Sequence, residues 1–423
     1  MKITLTIALL TVSGISSALT ISCGHLFDSE QGEFIDNQVV EINQDQVVTV
    51  SDKKQQTIDL DFSDGYCLPG LIDAHTHLSS QMGPGSYLNK FTLNAPDVTL
   101  NAVQYAERTL QAGFTTVRDL GDSYGVTVAL RDAINAGKID GPRVFTSGKS
   151  LATTGGHADP SNGYRDGLHP PTTPADGVIN GPVEAREAVR QHYQDGADLI
   201  KITATGGVLS QASSGDNSQF TADELSAIIS IAGDYGFKVA AHAHGKAGMK
   251  RAIEAGVSSI EHGSYLDDEI VKLMKKHGTY LVPTLMAGDF VAKKAQEAGY
   301  FPPMVAKKAA TIGPIMGAAF KRAYDSGVNI AFGTDSGVSE HGRNAEEFAL
   351  MTAQGMSPAE ALVAATKSAA TLIGNDKIGR IAAGSYADIV VTKHNPLDDI
   401  ETLTEIPVVI KGGQLIKNEY ADE

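Results

Sequence analysis

The sequence predicts an α/β protein: a (β/α)8 barrel with a small β-sandwich formed by its N- and C-terminal segments. Three observations carry this expectation. The chain has 423 residues, enough for a barrel of roughly 250 residues and a smaller second unit. Between residues 67 and 337 short apolar runs alternate with helical patterns, as in successive parallel βαβ units. Both flanks instead carry short alternating strands with polar turns.

Taken in order, residues 1–18 begin with Lys2, continue with an apolar run and end in Ser16-Ser17-Ala18. That is the pattern of a secretory signal peptide, and it predicts a secreted or periplasmic protein. The apolar run is short for a membrane span, which needs about 20 residues. No later segment qualifies, so no membrane association is expected after signal removal. Residues 19–66, with "EFIDNQVVEINQDQVVTVSD", form the first part of the expected sandwich. Residues 373–423, with "GRIAAGSYADIVVTKHNP" and "IPVVIKGGQLIKNE", form the second. Cys23 and Cys67 are the two cysteines. In an exported chain they can pair, or they can serve as two small buried hydrophobes.

Residues 67–372 hold the barrel. Its eight expected strands are "CLPGLIDAHTHL", "GFTTVRDLG" (113–121), "PRVFTSG" (142–148), "ADLIKITATGG" (197–207), "KVAAHAHG" (238–245), "SSIEHG" (258–263), "YLVPTL" (280–285) and "NIAFGTDSG" (329–337). Several follow a helical segment ending in Gly, as in "IEAG" and "KKHG". A glycine there suits a left-handed C-cap before the next strand. The active site of such a barrel lies at the C-terminal ends of the strands.

Composition narrows the partners. A net charge of −16 argues against nucleic acid and anionic membrane surfaces, both of which need a basic patch. Small molecules remain.

His75 and His77 are two apart on the first barrel strand, so both side chains face one way. If that face is the interior, two imidazoles at a strand end can hold a metal ion. Lys201 alternates with Ile200 and Ile202. If the isoleucines pack on helices, the lysine points inward, where a lone ammonium is costly. Carbamylation by CO2 would turn it into a carboxylate able to bridge two cations. His242 and His244 share one face of the fifth strand. His262 ends the sixth, and Asp335 ends the eighth. Polar residues of these types at five strand ends point to a metal site.

The strings "PGLIDAHTHL", "GFTTVRDLG", "TTGGHADP", "IKITATGG", "AHAHG", "IEHG", "FGTDSG" and "GRIAAGSYADIVV" together resemble the amidohydrolase superfamily of TIM barrels. The likeness is to its imidazolonepropionase-like and Xaa-Pro-dipeptidase-like branch. That branch includes carboxypeptidases acting on dipeptides and N-acyl amino acids, and amidases that cleave ochratoxin-type amides. The resemblance implies a binuclear site with two Zn2+ ions. His75 and His77 would hold the first, carbamylated Lys201 would bridge both, and His242 and His262 would hold the second. Asp335 would touch the first ion and act as general base, then acid. Relatives in this branch often carry Tyr at position 244; here it is His. His157, in the Gly-rich loop after the third strand, and His244 are candidate oxyanion or substrate contacts, and His341, after the last strand, is a third substrate-facing candidate.

The expected reaction is hydrolysis of an amide whose leaving group is an amino acid with a free carboxylate. The partner is a small-molecule amide or dipeptide, and a homo-oligomer is expected. The alternative is a cyclic amidase of the hydantoinase type, or a lactonase. Lys201 argues against a mononuclear deaminase, and Lys201 with the signal peptide argues against an imidazolonepropionase. The complete ligand set argues against a non-catalytic descendant.

Overall fold

The computed structural model describes residues 19–54, 57–210 and 214–420. The signal-peptide expectation at residues 1–18 lies outside them. Four strands open the chain: β1 (Leu19–Asp28), β2 (Glu33–Asn43), β3 (Gln46–Asp52) and β4 (Leu60–Pro69). Eight short strands follow, all but one of them followed by helix: β5 (Leu71–Thr76), β6 (Phe114–Asp119), β7 (Arg143–Thr146), β8 (Ser150–Leu151), β9 (Ile200–Thr203), β10 (Val239–Ala243), β11 (Ser259–His262) and β12 (Tyr280–Val282). The chain closes with β13 (Ile389–Thr392), β14 (Val408–Lys411) and β15 (Gln414–Asn418).

The middle strands are parallel. They lie in two sheets, β5-β6-β7 and β8-β9-β10-β11-β12. Residues 329–337, expected as an eighth strand, are extended but bridge only at isolated positions. They still join the sheets. Leu281 and Ala331 N–H groups donate to Asn329 and Leu281 carbonyls on one side. On the other, Ala74 donates to Phe332 O, Asp335 to His75 O and His77 to Ser336 O. The segment therefore ties the end of β5 to β12 and brings Asp335 to the two histidines.

Local chemistry explains the helices between strands. The helix Ala222–Asp234 starts at a capping box in which Glu224 accepts from the Thr221 N–H and hydroxyl, satisfying N-terminal donors. The helix Asp268–His277 is capped by Asp267, has acids in its first turn and bases in its last, as the macrodipole favours. Gly256 (φ 109°) and Gly278 (φ 67°) end their helices in the left-handed region, as expected. Ile200 and Ile202 pack in the main apolar core while Lys201 between them lines the central cavity, so strand alternation holds as read.

The two ends of the chain do meet. β13 pairs antiparallel with β4 from Ile389↔Pro69 to Thr392↔Tyr66, and β4 pairs parallel with β1. Because β4 is shared, the result is one continuous seven-stranded sheet, β15-β14-β13-β4-β1-β2-β3, rather than two separately hydrogen-bonded layers of a sandwich. Its far end turns back: Val47 N–H donates to Ser385 O and Ala387 N–H to Asp45 O, next to β13. The sheet encloses its own core, including Ile21, Val40, Phe62, Ile389 and Ile410. Within that core Cys23 and Cys67 form a disulfide linking β1 to β4.

Candidate active site and metal centre

Four strand ends and the 329–337 segment deliver polar side chains to one cavity of ≈ 180 Å3. From β5 come His75 and His77, from β9 Lys201, from β10 His242 and His244, from β11 His262, and from the closing segment Asp335. His157 enters from the loop after β8. All but His77 and His157 are buried.

The hydrogen bonds fix which ring nitrogen faces the cavity. His75 Nδ1–H donates to Glu261 Oε2 at 2.9 Å, and His77 Nδ1–H donates to Gly121 O at 2.9 Å. An anionic or carbonyl oxygen can only accept, so in the neutral ring, the form that binds a metal, each Nε2 keeps its lone pair. Those two Nε2 atoms lie 3.5 and 3.3 Å from Asp335 Oδ1. That oxygen is buried and has no aligned hydrogen-bond donor among the described residues. Ligand atoms of His75, His77 and Asp335 all lie within 4.8 Å of one another. His242 is held the other way round: its Nε2–H donates to Gly206 O at 3.0 Å, leaving Nδ1. His262 shares Nδ1 with Thr284 Oγ1 at 2.6 Å. Its ring lies 5.1 Å from that of His75 and 4.7 Å from that of His242. Lys201 Nζ is 3.4 Å from His75 Nε2.

Electrostatics agree with this arrangement. Burial, with the Lys201 charge nearby, pushes His75 down to about 4. Burial likewise holds His242 and His262 well below the usual histidine range. These imidazoles are neutral, which is the form that ligates metal. Burial would raise the Asp335 carboxyl, but His75, His77 and Lys201 around it hold it down at about 2. Burial lowers Lys201 to about 8, against the pull of Glu261 and Asp335. A buried carboxylate oxygen facing two imidazole lone pairs, with no proton donor between them, is the donor set of a divalent-cation site. The residues therefore fit a metal centre.

The backbone is bent to build it. Only five non-glycine residues among those described have positive φ, and three are His262 (71°), Thr284 (50°) and Asp335 (59°). Such conformations are unfavourable for side-chain-bearing residues and gather at functional sites.

His157 and His244 both reach the cavity. The His157 ring stacks on His242 at 4.3 Å, and its Nδ1 is buried without a partner among the described residues. Gly207 makes that possible, since a Cβ there would come within 2.2 Å of the ring. His244 shares Nδ1 with Ser264 Oγ at 2.7 Å. His341 does not reach the cavity. Its Nε2–H donates to Ser80 O at 2.9 Å, its ring stacks on Tyr105 at 4.7 Å, and its outer face borders a different groove. The expectation of a substrate contact at His341 is therefore corrected: a backbone carbonyl and an aromatic face draw the ring under the 79–81 turn.

Comparison with known proteins decides the family. Residues 66–416 match the model of the amidohydrolase family. The chain belongs to the amidohydrolase family. As such it has a TIM-barrel-type α/β fold, and it is a hydrolase acting on amide bonds. It is 36% identical to an ochratoxinase from Aspergillus niger over 373 residues, spanning 83% of this chain and 75% of that one. It resembles the crystal structure of a Xaa-Pro dipeptidase with methionine bound in its active site, at 45% identity and TM-score 0.92, covering 95% of this chain and 100% of that one. A prolidase complexed with N-methylphosphonate-L-proline is similar at 32% identity and TM-score 0.86, over 95% and 100% of the two chains.

Sequence reasoning passed over two residues of this amidohydrolase site. Glu261 is fully buried and grips His75, the Ser259 hydroxyl and Arg118, whose Nη2 donates to both Glu261 oxygens at 3.0 and 3.1 Å. Arg118 Nε also donates to Ala74 O at 2.6 Å. The pair orients His75 from behind, as outer partners of metal ligands do. Both stood inside quoted strings, "TTVRDLG" and "IEHG", where a buried charge on each of two strands was the available signal.

Proposed function

We propose that this amidohydrolase is a binuclear zinc enzyme that cleaves dipeptides or N-acyl amino acids, ochratoxin-type amides included, and releases a C-terminal amino acid with an apolar side chain. The observation that carries this reading is the pairing of the donor set with an apolar wall in one cavity: Val208, Leu209, Val291, Ile312, Met316 and Val338 line it beside the six candidate ligands. His75 and His77 would hold one ion, His242 and His262 the other, with Lys201 as a carbamate between them and Asp335 beside the first. Bound divalent ions supply Lewis acidity, which acidifies a water and polarises an amide carbonyl. The Asp335 carboxylate takes the proton from the attacking water as its oxygen bonds to the carbonyl carbon. It then gives that proton to the leaving nitrogen as the C–N bond breaks. His157, with its free buried Nδ1, and His244 stand where the carbonyl oxygen can be hydrogen-bonded. The Cys23–Cys67 disulfide supports export to a secreted or periplasmic location.

The test is a library of N-acyl amino acids and dipeptides, assayed for free amino acid by the zinc-loaded enzyme. Release from several members with apolar C-terminal residues is the expected result. No release from any, together with turnover of cyclic imides or lactones, would transfer the site to a hydantoinase-type or lactonase chemistry.

A further inference from the structure

The helix Leu285–Lys294 begins just past the end of β12, beside His262. Its residues Ala287, Gly288 and Val291 line the cavity. A helix starts with N–H groups that have no partner within it, and a Thr before the first turn ordinarily accepts from one of them. Thr284 stands at that place and does not do so. It is held in the left-handed region at φ 50°, and its hydroxyl lies 2.6 Å from Nδ1 of His262. That leaves Nε2 of His262 for the cavity.

The orphaned donors are met from elsewhere. Glu347, fully buried on the helix Glu346–Ala353, accepts from Leu285 N–H at 2.8 Å and from Met286 N–H at 2.6 Å, one with each carboxyl oxygen. Burial pushes this carboxyl up to about 8 while the two N–H groups pull it down. Both oxygens can accept in either protonation state. Glu347 is itself fixed through the turn before it. Asn344 donates to Asp73 Oδ2 at 2.7 Å, and Asp73 accepts from the N–H groups of His75 and Thr334 at 3.0 and 3.1 Å. The helix cap is thus supplied from a turn anchored behind His75 and Asp335.

We propose that Glu347 is a positioning residue for the second ion: it caps this helix in place of Thr284, and so leaves the Thr284 hydroxyl free to fix the His262 ring. The inference rests on the two-ion reading above and deepens it, since it names what holds the His262 ligand in place. An amide at position 347 breaks the arrangement, because its nitrogen offers hydrogens to an N–H group that needs an acceptor. The ordinary substitute cap is the Thr284 hydroxyl, and turning to the helix takes it from His262.

The experiment titrates metal-depleted wild type, Glu347→Gln, Thr284→Val, Thr284→Ser and the double variant Glu347→Gln/Thr284→Val with zinc against a chromophoric chelator, with thermal melting followed on each. The wild type should bind two ions. In Glu347→Gln and in Thr284→Val one of the two affinities should fall by roughly 10–100-fold, the other staying within about threefold of wild type. The double variant should lose no more than about threefold beyond either single one, because both changes break one linkage. Thr284→Ser keeps the hydroxyl and should bind both ions as the wild type does. A Glu347→Gln chain with wild-type affinity for both ions overturns the proposal. So do losses that multiply in the double variant, or a Thr284→Ser chain that loses an ion as Thr284→Val does. A fall in both affinities alike that follows the melting temperature also overturns it, leaving Glu347 a residue of the fold. Should Glu347→Gln not fold, Glu347→Asp, one methylene too short to reach both N–H groups, takes its place under the same outcomes. A wild type that binds fewer than two ions removes the two-ion reading, and this inference with it.

Discussion

Lys201 is held where an ammonium is disfavoured, and its lowered value of about 8 has a chemical consequence. Only the free amine reacts with CO2. At about pH 7.5 roughly a quarter of such a lysine is amine, against about a thousandth of an ordinary one. In the metal-free chain, carbamate formation from bicarbonate should therefore rise between about pH 6.5 and pH 9; carbon-13 NMR with labelled bicarbonate follows it, and a flat profile would contradict a reactive Lys201. Glu261 yields a second expectation. Glu261→Gln leaves the Arg118 guanidinium buried beside a neutral amide, so stability should fall by about 3 kcal/mol. Zinc affinity should fall by roughly 10–100-fold because His75 loses its anchor. Thermal melting and competitive zinc titration measure the two effects. The pair His75 and His77 was legible because residues two apart on a strand share a face. Glu261 was not, because its neighbour His262 had already been placed inside. Adjacent strand residues should face oppositely; the positive φ of His262 turns its ring inward beside Glu261, and nothing in the local sequence announces that twist.

At the scale of elements, the helix Leu285–Lys294 and the helix Pro303–Asp325 pack closely and set the width of the apolar wall. A Cβ on Gly288 would stand 2.7 Å from Met316 Sδ. Gly288→Ala should push Met316 into the cavity and lower kcat/KM for bulky C-terminal residues by about tenfold, with a smaller effect on Ala-ended substrates. Equal loss across side-chain sizes would place the wall away from substrate. The disulfide closes a loop with a sequence separation of 44. Cys67→Ser should cost about 2–4 kcal/mol of stability, read by denaturant unfolding, with turnover at 25 °C retained because the bond lies in the terminal sheet. The parallel strands were legible because each apolar run met a helix ending in glycine. The segment 329–337 also read as a strand, yet it pairs only at single positions since its backbone turns at Asp335 to aim the carboxylate. His341 was misplaced for a related reason: loop composition says where polar groups cluster, whereas the Ser80 carbonyl and the Tyr105 ring that capture it lie some 260 and 236 residues away in sequence.

At the scale of the whole molecule, the ends of the chain meet in one sheet while the middle builds the site. If residues 1–18 are a signal peptide, N-terminal sequencing of the mature protein from its natural host should begin near Leu19, and a chain starting at Met1 would count against export. The central claim is that six side chains from four strand ends and one closing segment form a two-ion site. Elemental analysis of the zinc-loaded protein tests it most directly, beside Lys201→Ala prepared in the same way. The account predicts about two divalent ions per wild-type chain, fewer in Lys201→Ala, and activity that falls with them. A wild-type chain that holds none after zinc loading, or a Lys201→Ala chain with full metal and unchanged turnover, would contradict it.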